Sequence, residues 1–485
     1  MNSNPNIKKS ILSVGLGRGG MILLQFVSSI ILARLLTPED YGITAMLAIF
    51  ISVSTILIDS GFGGSLVYHK DVDGRDFSTV FWLNIAISTG IYTCMFLFSN
   101  KLASFYGIQE LSLYIRILGI VLVFNSLGHI QFSLLYKNLE FNKLNIVNLV
   151  SYSIASVIAI FLAYWGLGVW ALISQQVLNS VLSTLFLVFF NKYIPQVYFS
   201  WEIVKKHWNF GSGLFFSSIL RAIYDNMYLQ MIGKFSDVKS AGLFNQATKL
   251  KDIPSNLFSS TFDTSLFPLF SKLHEDDLFT EKFRIVTRFL AFVCCPILFL
   301  MSISARSIVE ILLGEKWLDS ASLLSFLSIG AIFYIMEIVN RSGLKARGRS
   351  MLIFKMDVIK RFISILLMFI FLKTLGVYGL AISYIINSFF CWIINSICLA
   401  RYCSYSFKCQ LLDIVKPFSV SVIIALVVYF ISFEIYMSCI GTLLFNTIAF
   451  IIIYLSVLII IKDSSASLFV NLVKSRININ RFRSK

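Results

Sequence analysis

The chain has 485 residues, of which 57% are hydrophobic and only 14% carry a charge, whereas soluble domains average about 25% charged residues. This composition excludes a soluble globular enzyme. A membrane-spanning helix needs about 20 mostly apolar residues, so the chain can form about fourteen of them and keep roughly 200 residues for connections. We therefore expect an all-α polytopic membrane protein.

Lysine and arginine number 41 against 25 aspartate and glutamate residues, which gives a net charge of +16. In a soluble protein this excess would suggest a nucleic-acid partner, but the cytoplasmic loops of membrane proteins also collect Lys and Arg. We therefore expect the protein to lie in a membrane and to bind no nucleic acid. The eight cysteines contain no CxxC pair, so neither a disulfide framework nor a metal site is predicted.

Apolar runs separated by charged residues, Gly or Pro predict fourteen spans. In chain order they lie near 10–35, 40–68, 77–99, 111–135, 143–165, 168–191, 208–232, 241–271, 283–304, 318–343, 353–374, 376–401, 412–436 and 439–461. The first run is too long for a signal-peptide core, so we expect it to remain as the first span. The eighth run is the least regular, because it is interrupted by Asn245, Lys249, Lys251, Asp252 and Pro254.

The distribution of Lys and Arg predicts the orientation. With the N-terminus placed in the cytoplasm, the inner segments hold about 24 of them and the outer segments about 7, which agrees with the excess that cytoplasmic loops carry. We therefore expect a multi-pass membrane protein with both termini in the cytoplasm and an even number of spans.

Two internal repeats relate the halves of the chain. Residues 167–172 (LGVWAL) are matched at an offset of 208 by residues 375–380 (LGVYGL), and Arg34 and Gly42 are matched at an offset of 200 by Lys234 and Gly242. Six spans separate the copies, which predicts parallel six-helix lobes at 1–200 and 201–405, followed by two extra helices and a basic tail at 406–485. Parallel repeats are one plan of alternating-access transporters, in which the substrate binds between the halves.

Three segments carry a resemblance: residues 34–42 (RLLTPEDYG) at the outer end of the first span, residues 59–63 (DSGFG) within the second span and residues 305–317 (ARSIVEILLGEKW) after the ninth span. With these segments the chain resembles the bacterial polysaccharide-transporter family, which contains the Wzx-type flippases of O-antigen and exopolysaccharide units. That family belongs to the multidrug/oligosaccharidyl-lipid/polysaccharide exporter superfamily. The resemblance implies a flippase of the bacterial cytoplasmic (inner) membrane. It would carry undecaprenyl-diphosphate-linked oligosaccharide repeat units from the inner to the outer leaflet by alternating access, for O-antigen or exopolysaccharide synthesis.

A diphosphate cannot cross hydrocarbon unaided, so its carrier needs cationic groups at membrane depth. Arg18 in the first span and Arg221 in the seventh are the leading candidates to bind it. Each has an acidic counterpart: Asp59 is expected at a depth similar to that of Arg18, and Asp225 lies one helical turn from Arg221. These acids are candidates for ion coupling or charge pairing, and a purely structural pair is the alternative in both cases.

Further ionisable residues interrupt the eighth, tenth and eleventh spans. Lys249 shares a helical face with Asn245, Asp252 and Asn256, and such a polar stripe typically lines a water-filled cavity, so Lys249 is a third candidate for substrate binding. Glu337 in the tenth span is a third candidate for ion coupling or charge pairing. Its position near an inner span end, like that of Lys360, also fits a side chain that reaches the cytoplasmic interface.

Two other classes of function compete with a flippase. An ion-coupled multidrug-type exporter of soluble amphiphiles needs acids that bind cations more than arginines that bind anions. A membrane enzyme acting on lipid-linked sugars needs a large outer loop, whereas the longest outer connection here is near residues 304–317. We expect a transporter without a cofactor, with coupling to Na+ or H+ left open and a polysaccharide polymerase as a candidate membrane partner.

His129, at membrane depth, is predicted to be a packing residue.

Overall fold

The computed structural model describes residues 5–59, 61–69, 71–261, 267–271, 273, 275–435 and 438–460, which form helices joined by turns. The chain divides into two compact units, Met1–Gly242 and Leu243–Lys485. The helices of the first unit are α1 (Pro5–Leu35), α2 (Pro38–Asp59), α3 (Phe62–Tyr68), α4 (Gly74–Tyr106), α5 (Leu111–Leu118), α6 (Ile120–Lys137), α7 (Phe141–Tyr164), α8 (Val169–Asn191) and α9 (Trp201–Phe235).

The second unit contains a similar series of long helices. They are α10 (Val238–Thr261), which begins just before the division, α11 (Phe267–Phe270), α12 (Asp276–Ile303), α13 (Ala305–Leu312), α14 (Asp319–Ala346), α15 (Ser350–Leu399), α16 (Phe407–Glu434) and α17 (Cys439–Ile460). The lobe boundaries that the sequence predicts near residues 200 and 405 remain predictions.

Ten stretches of helix in the described part of the chain are long and apolar enough to cross a membrane. One of them, α15, is 50 residues long and contains a backbone break at Gly376, so it provides two crossings. The apolar part of α1 is shorter, and α9 and α10 carry charged residues within their length. Together with these three helices the count is fourteen, which agrees with the spans predicted from the sequence.

The first sequence repeat has a counterpart in the backbone. Gly168, just before α8, has φ 53° and ψ −125°, and Gly376 has φ 60° and ψ −144°. Residues with a Cβ are strongly disfavoured in this region of the Ramachandran map. The matched glycines therefore make the same sharp turn into the sixth and the twelfth span, and the repeated sequence encodes a repeated conformation.

The second repeat has a counterpart in the helix ends. Helices α1 and α9 end at Leu35 and Phe235, and α2 and α10 begin at Pro38 and Val238, so each boundary recurs at an offset of 200.

The two repeated helix starts also pack against each other reciprocally. A Cβ atom on Gly42 would lie 2.0 Å from the carbonyl oxygen of Val238, and one on Gly242 would lie 1.8 Å from that of Pro38. Both glycines are required by this close backbone approach.

Each unit has its own hydrophobic packing. In the second unit, α12 is in contact with α16 and α17, and a large cluster of buried residues includes Phe292, Val428, Phe450 and Tyr454. The Tyr454 hydroxyl donates to the carbonyl of Phe292 at 2.9 Å. The two C-terminal helices are therefore held to α12 by apolar burial and by a buried hydrogen bond.

Candidate functional site

The charged residues of α9 lie on its exposed side. Arg221 Nε is 3.4 Å from Asp225 Oδ2, and the two side chains are 72% and 56% exposed. The opposite side of the helix packs on α2, where Asn226 donates to Ser52 Oγ at 3.1 Å and Gln230 donates to the carbonyl of Met46 at 2.9 Å. The helix is thus anchored through its polar inner side, and the ion pair remains accessible.

The predicted polar stripe of α10 is the exposed side of that helix. Lys249 and Asn256 are exposed, and Asn245 and Asp252 are half-buried. The opposite side is buried, with Leu243, Phe244, Ala247 and Leu250 directed into the unit. Because a membrane-spanning helix does not place charged side chains in lipid without a large cost, this stripe has the placement that a water-filled path requires.

Lys251 is a functional candidate that sequence reasoning treated only as an interruption. Its side chain is 6% exposed, and its Nζ lies 2.6 Å from Asp252 Oδ1 and 3.3 Å from the Tyr384 hydroxyl. The ammonium also lies 4.9 Å and 5.9 Å from the ring centroids of Tyr384 and Tyr334. A buried cation on one side of α10 therefore holds the carboxylate of the polar stripe in place.

Asp59 has a partner that the sequence did not indicate. His129 Nε2 is 2.9 Å from Asp59 Oδ1, the Gly63 backbone N–H donates to the same oxygen at 2.9 Å, and Asn84 lies 3.3 Å from His129 Nδ1. His129 is thus more than a packing residue. Arg18 lies on α1, but its side chain is outside the described part of the chain, so the predicted pair of Arg18 with Asp59 stays a prediction.

Glu337 lies in a buried polar network. Lys360 Nζ is 3.0 Å from Glu337 Oε1, and Asn395 donates to the same oxygen at 2.7 Å. Glu337 and Lys360 are 8% and 6% exposed. The expectation that both side chains reach the interface is therefore wrong. Glu337 on α14 and Lys360 on α15 are buried where these two helices pack against each other. A neighbouring pair, Arg341 with Asp357 at 2.7 Å, is more exposed.

A Ser–His–Asp contact in the first unit has the residue types of a hydrolase triad. His207 lies between Ser65 Oγ at 2.8 Å and Asp76 Oδ1 at 2.9 Å. Ser65 and His207 have no exposed surface, so no substrate reaches the hydroxyl in this conformation. The contact instead connects the start of α9 to α3 and α4. The histidine pairs were missed because their partners are 70 and 131 residues away in sequence, and local spacing carries no signal of such contacts.

The six predicted site residues thus fall into different environments. Arg221, Asp225 and Lys249 are exposed, Glu337 is buried in a pair with Lys360, and Asp59 pairs with His129. Arg221 and Asp225 are joined to each other, as their spacing predicted. Of the six residues, only Arg18 lacks a described side chain.

Comparison with known proteins gives a consistent picture. A family model described as "Polysaccharide biosynthesis protein" matches residues 31–322. The chain is 27% identical over 439 residues to the teichuronic acid biosynthesis protein TuaB of Bacillus subtilis, which covers 88% of this chain and 90% of TuaB. It is 26% identical over 333 residues to the succinoglycan biosynthesis transport protein ExoT of Rhizobium meliloti, covering 68% and 67% of the two chains. It is also 25% identical over 376 residues to the lipopolysaccharide biosynthesis protein WzxC of Escherichia coli, covering 76% and 75%.

Two solved structures share the fold. The lipid II flippase MurJ in an inward closed conformation matches with a TM-score of 0.72 at 16% identity, covering 93% of this chain and 99% of MurJ. An inward-facing multidrug resistance MATE family transporter matches with a TM-score of 0.57 at 14% identity, covering 79% and 94%. At these identities the likeness concerns the fold.

Proposed function

Because the chain belongs to the polysaccharide biosynthesis protein family, we propose that it is a flippase for undecaprenyl-diphosphate-linked oligosaccharide repeat units. It moves them from the inner to the outer leaflet of the bacterial cytoplasmic membrane by alternating access, for O-antigen or exopolysaccharide synthesis. Its relatives carry names from the biosynthesis of succinoglycan, teichuronic acid and lipopolysaccharide, and a transport role rather than catalysis fits both the family and the fold.

The observation that carries the proposal is the exposure of charged side chains on α9 and α10. Arg221 is 72% exposed and Lys249 is exposed, although both belong to helices that complete the fourteen spans. Charges at such positions normally face water or a protein-lined cavity. A guanidinium and an ammonium directed into such a path can bind the oxygens of a diphosphate through charge-assisted hydrogen bonds.

The acidic partners determine how the site is reset. Asp225 keeps Arg221 neutralised in the absence of cargo, and the diphosphate replaces the carboxylate when it binds. In the same way, Asp252, which Lys251 holds in place, neutralises Lys249 until the diphosphate binds. Arg18, on α1, binds the cargo together with these cations. If transport is coupled to Na+ or H+, the ion binds at Asp59 or Asp225. Glu337 is assigned to charge pairing, which its 3.0 Å contact with Lys360 supports.

Reconstitution in proteoliposomes tests this function directly. The vesicles carry a fluorescent polyprenyl-diphosphate-linked oligosaccharide in both leaflets, and a membrane-impermeant sugar-oxidising reagent is added outside. With the wild-type protein we expect the whole lipid pool to be oxidised in one phase, whereas protein-free vesicles leave about half protected. Persistence of the protected half in vesicles that contain folded wild-type protein contradicts the proposal.

A second cargo distinguishes a multidrug-type exporter. The same vesicles are loaded with a cationic dye, and its efflux is followed with and without gradients of Na+ and H+. Efflux that depends on a gradient, together with protection of half the oligosaccharide lipid, would assign the chain to soluble amphiphiles. Oxidation of all the oligosaccharide lipid without dye efflux supports the flippase.

A further inference from the structure

A cluster of two arginines and one aspartate lies at one end of the second unit. Asp413 of α16 is 3% exposed in its side chain. It accepts hydrogen bonds from Arg284 Nε at 2.7 Å and from Arg288 Nε at 2.6 Å, both on α12, and from the Tyr405 hydroxyl at 2.8 Å. Two guanidinium charges against one carboxylate leave the cluster with one net positive charge.

The arginines retain binding capacity. A guanidinium has five N–H donors, and the contacts described for Arg284 and Arg288 join two nitrogens of each to Asp413. The side chains are 40% and 33% exposed, so their outer edges are accessible. The buried carboxylate and Tyr405 thus fix two half-exposed guanidinium groups side by side, an arrangement suited to a phosphate, whose oxygens accept parallel hydrogen bonds.

The surface beside the cluster is apolar and faces outward. Along α16 the exposed residues follow helical spacing from the level of Asp413 to the far end of the helix: Leu412 (64% exposed), Ile423 (61%), Leu426 (53%), Phe430 (65%) and Phe433 (73%). On α12, Ile285 is 38% exposed beside Arg284. An apolar surface of this length on a spanning helix contacts acyl chains, so a ligand at the arginines would have an anionic head and hydrocarbon tails.

The depth of the cluster fits a lipid headgroup. Helix α12 has 28 residues, about 42 Å, whereas the hydrocarbon core is about 30 Å thick, so its ends extend into the headgroup region. Arg284 lies two turns and Arg288 three turns from the start of α12. Long side chains at that depth reach the boundary between headgroups and hydrocarbon.

Other basic groups reinforce the positive potential at this end of the unit. Lys408 and Lys416 are exposed on α16, and Arg349, between α14 and α15, lies 4.4 Å above the ring of Tyr402. The start of α12 opposes this charge, since Glu275, Asp277 and Glu281 are exposed there and the adjacent Lys282 offsets only one of them.

We propose that Arg284 and Arg288, fixed by Asp413 and Tyr405, form a binding site for the phosphate of an anionic phospholipid whose acyl chains lie along α16. Its residues differ from those of the proposed cargo path on α9 and α10, and the proposal does not depend on that path. Basic clusters between spanning helices bind anionic headgroups in this way.

Thermal unfolding of the full-length protein in a mild detergent tests the site. Phosphatidylglycerol and phosphatidylcholine with the same acyl chains are titrated separately, and the melting temperature is compared. We expect phosphatidylglycerol to raise the melting temperature and phosphatidylcholine to have no comparable effect. Equal effects of the two lipids would overturn the proposal.

The variant R288Q removes the net positive charge and leaves Asp413 paired with Arg284, so it should fold. We expect phosphatidylglycerol retained per protein, measured by native mass spectrometry, to fall at least threefold. R288K, which keeps the charge without the planar fork, should give an intermediate value. The control K373Q removes one exposed charge from α15 of the same unit and should retain wild-type binding. If R288Q lowers the melting temperature but keeps the full increment from phosphatidylglycerol, the cluster only joins two helices and the proposal is wrong.

Two further ligands distinguish the source of the phosphate. Inorganic phosphate at millimolar concentration should not reproduce the stabilisation, and equal stabilisation by it would indicate a general anion site. Undecaprenyl phosphate should compete no better than phosphatidylglycerol. Strong preference for the polyprenyl lipid would assign the cluster to cargo handling and overturn the phospholipid assignment, without affecting the flippase proposal.

Discussion

Two acid–base pairs on the long helices of this protein differ in their surroundings. Glu337 and Lys360 meet at 3.0 Å with less than 10% of either residue exposed, and Asn395 completes the network. Arg221 and Asp225 meet at 3.4 Å with more than half of each side chain exposed. The first pair joins α14 to α15, whereas the second lies along the exposed side of a single helix, α9.

This difference in exposure indicates which pair stabilises the fold and which pair is available to a ligand. A buried charge that loses its partner is strongly destabilising, because neither water nor another group replaces the lost interaction. An exposed pair contributes little to stability, but its groups are free to exchange partners with a charged ligand. Glu337 and Lys360 are therefore expected to be structural, and Arg221 and Asp225 are expected to act in transport.

The largest effect is expected for K360M, which leaves Glu337 buried without a counter-charge. The free energy of unfolding should fall by about 3–5 kcal/mol, which is measured as lost abundance in the membrane and a lower melting temperature in detergent. The double variant K360M/E337Q should recover most of the loss, since no unpaired charge remains. Wild-type stability of K360M would break the distinction between the two pairs.

The next largest effect is expected for R221A, which removes an exposed cation from the proposed cargo path. A hydrogen bond to a charged group contributes about 1.5–3 kcal/mol, so the flipping rate in proteoliposomes should fall at least about tenfold. Protein abundance should stay normal, because the pair is exposed. The double variant R221A/D225A should be equally inactive, and normal transport by it would show that Arg221 only neutralises Asp225.

A smaller effect is expected for K249A on the polar stripe of α10. A flexible ammonium forms a less specific contact with phosphate than a guanidinium does, so transport should fall by roughly three- to tenfold. K249R should retain most activity, and K239A, at an exposed lysine near the start of the same helix, serves as the matched control. Equal losses in K249A and K239A would indicate a general charge effect.

The smallest effect is expected for R221K, which preserves the charge of the exposed pair. Loss of the planar fork should reduce the flipping rate by about two- to fivefold, with unchanged abundance. Activity as low as that of R221A would show that geometry, and not charge, dominates at this position.

The sequence by itself determined the membrane class, the fourteen spans and the repeated turns. Apolar runs of about 20 residues have few alternatives to a spanning helix, because an unpaired backbone amide is too costly in lipid. The match of Gly168 with Gly376 was visible because the local backbone conformation requires a glycine. Gly42 and Gly242 also match in sequence, but the reason for them is tertiary, since each lies too close to the backbone of the other helix start for a Cβ atom. The pair of Arg221 with Asp225 follows from a spacing of four within one helix.

Only the tertiary structure decided which charges are covered and which groups they meet. Periodicity places Lys249 and Lys251 on different sides of α10, but it does not reveal that Tyr384, 133 residues away from Lys251, closes over one of them. The contacts of Asp59 with His129 and of Lys360 with Glu337 likewise join different helices. Helix packing sets the burial of these groups, and burial decides whether a charge stabilises the fold or remains available to a ligand.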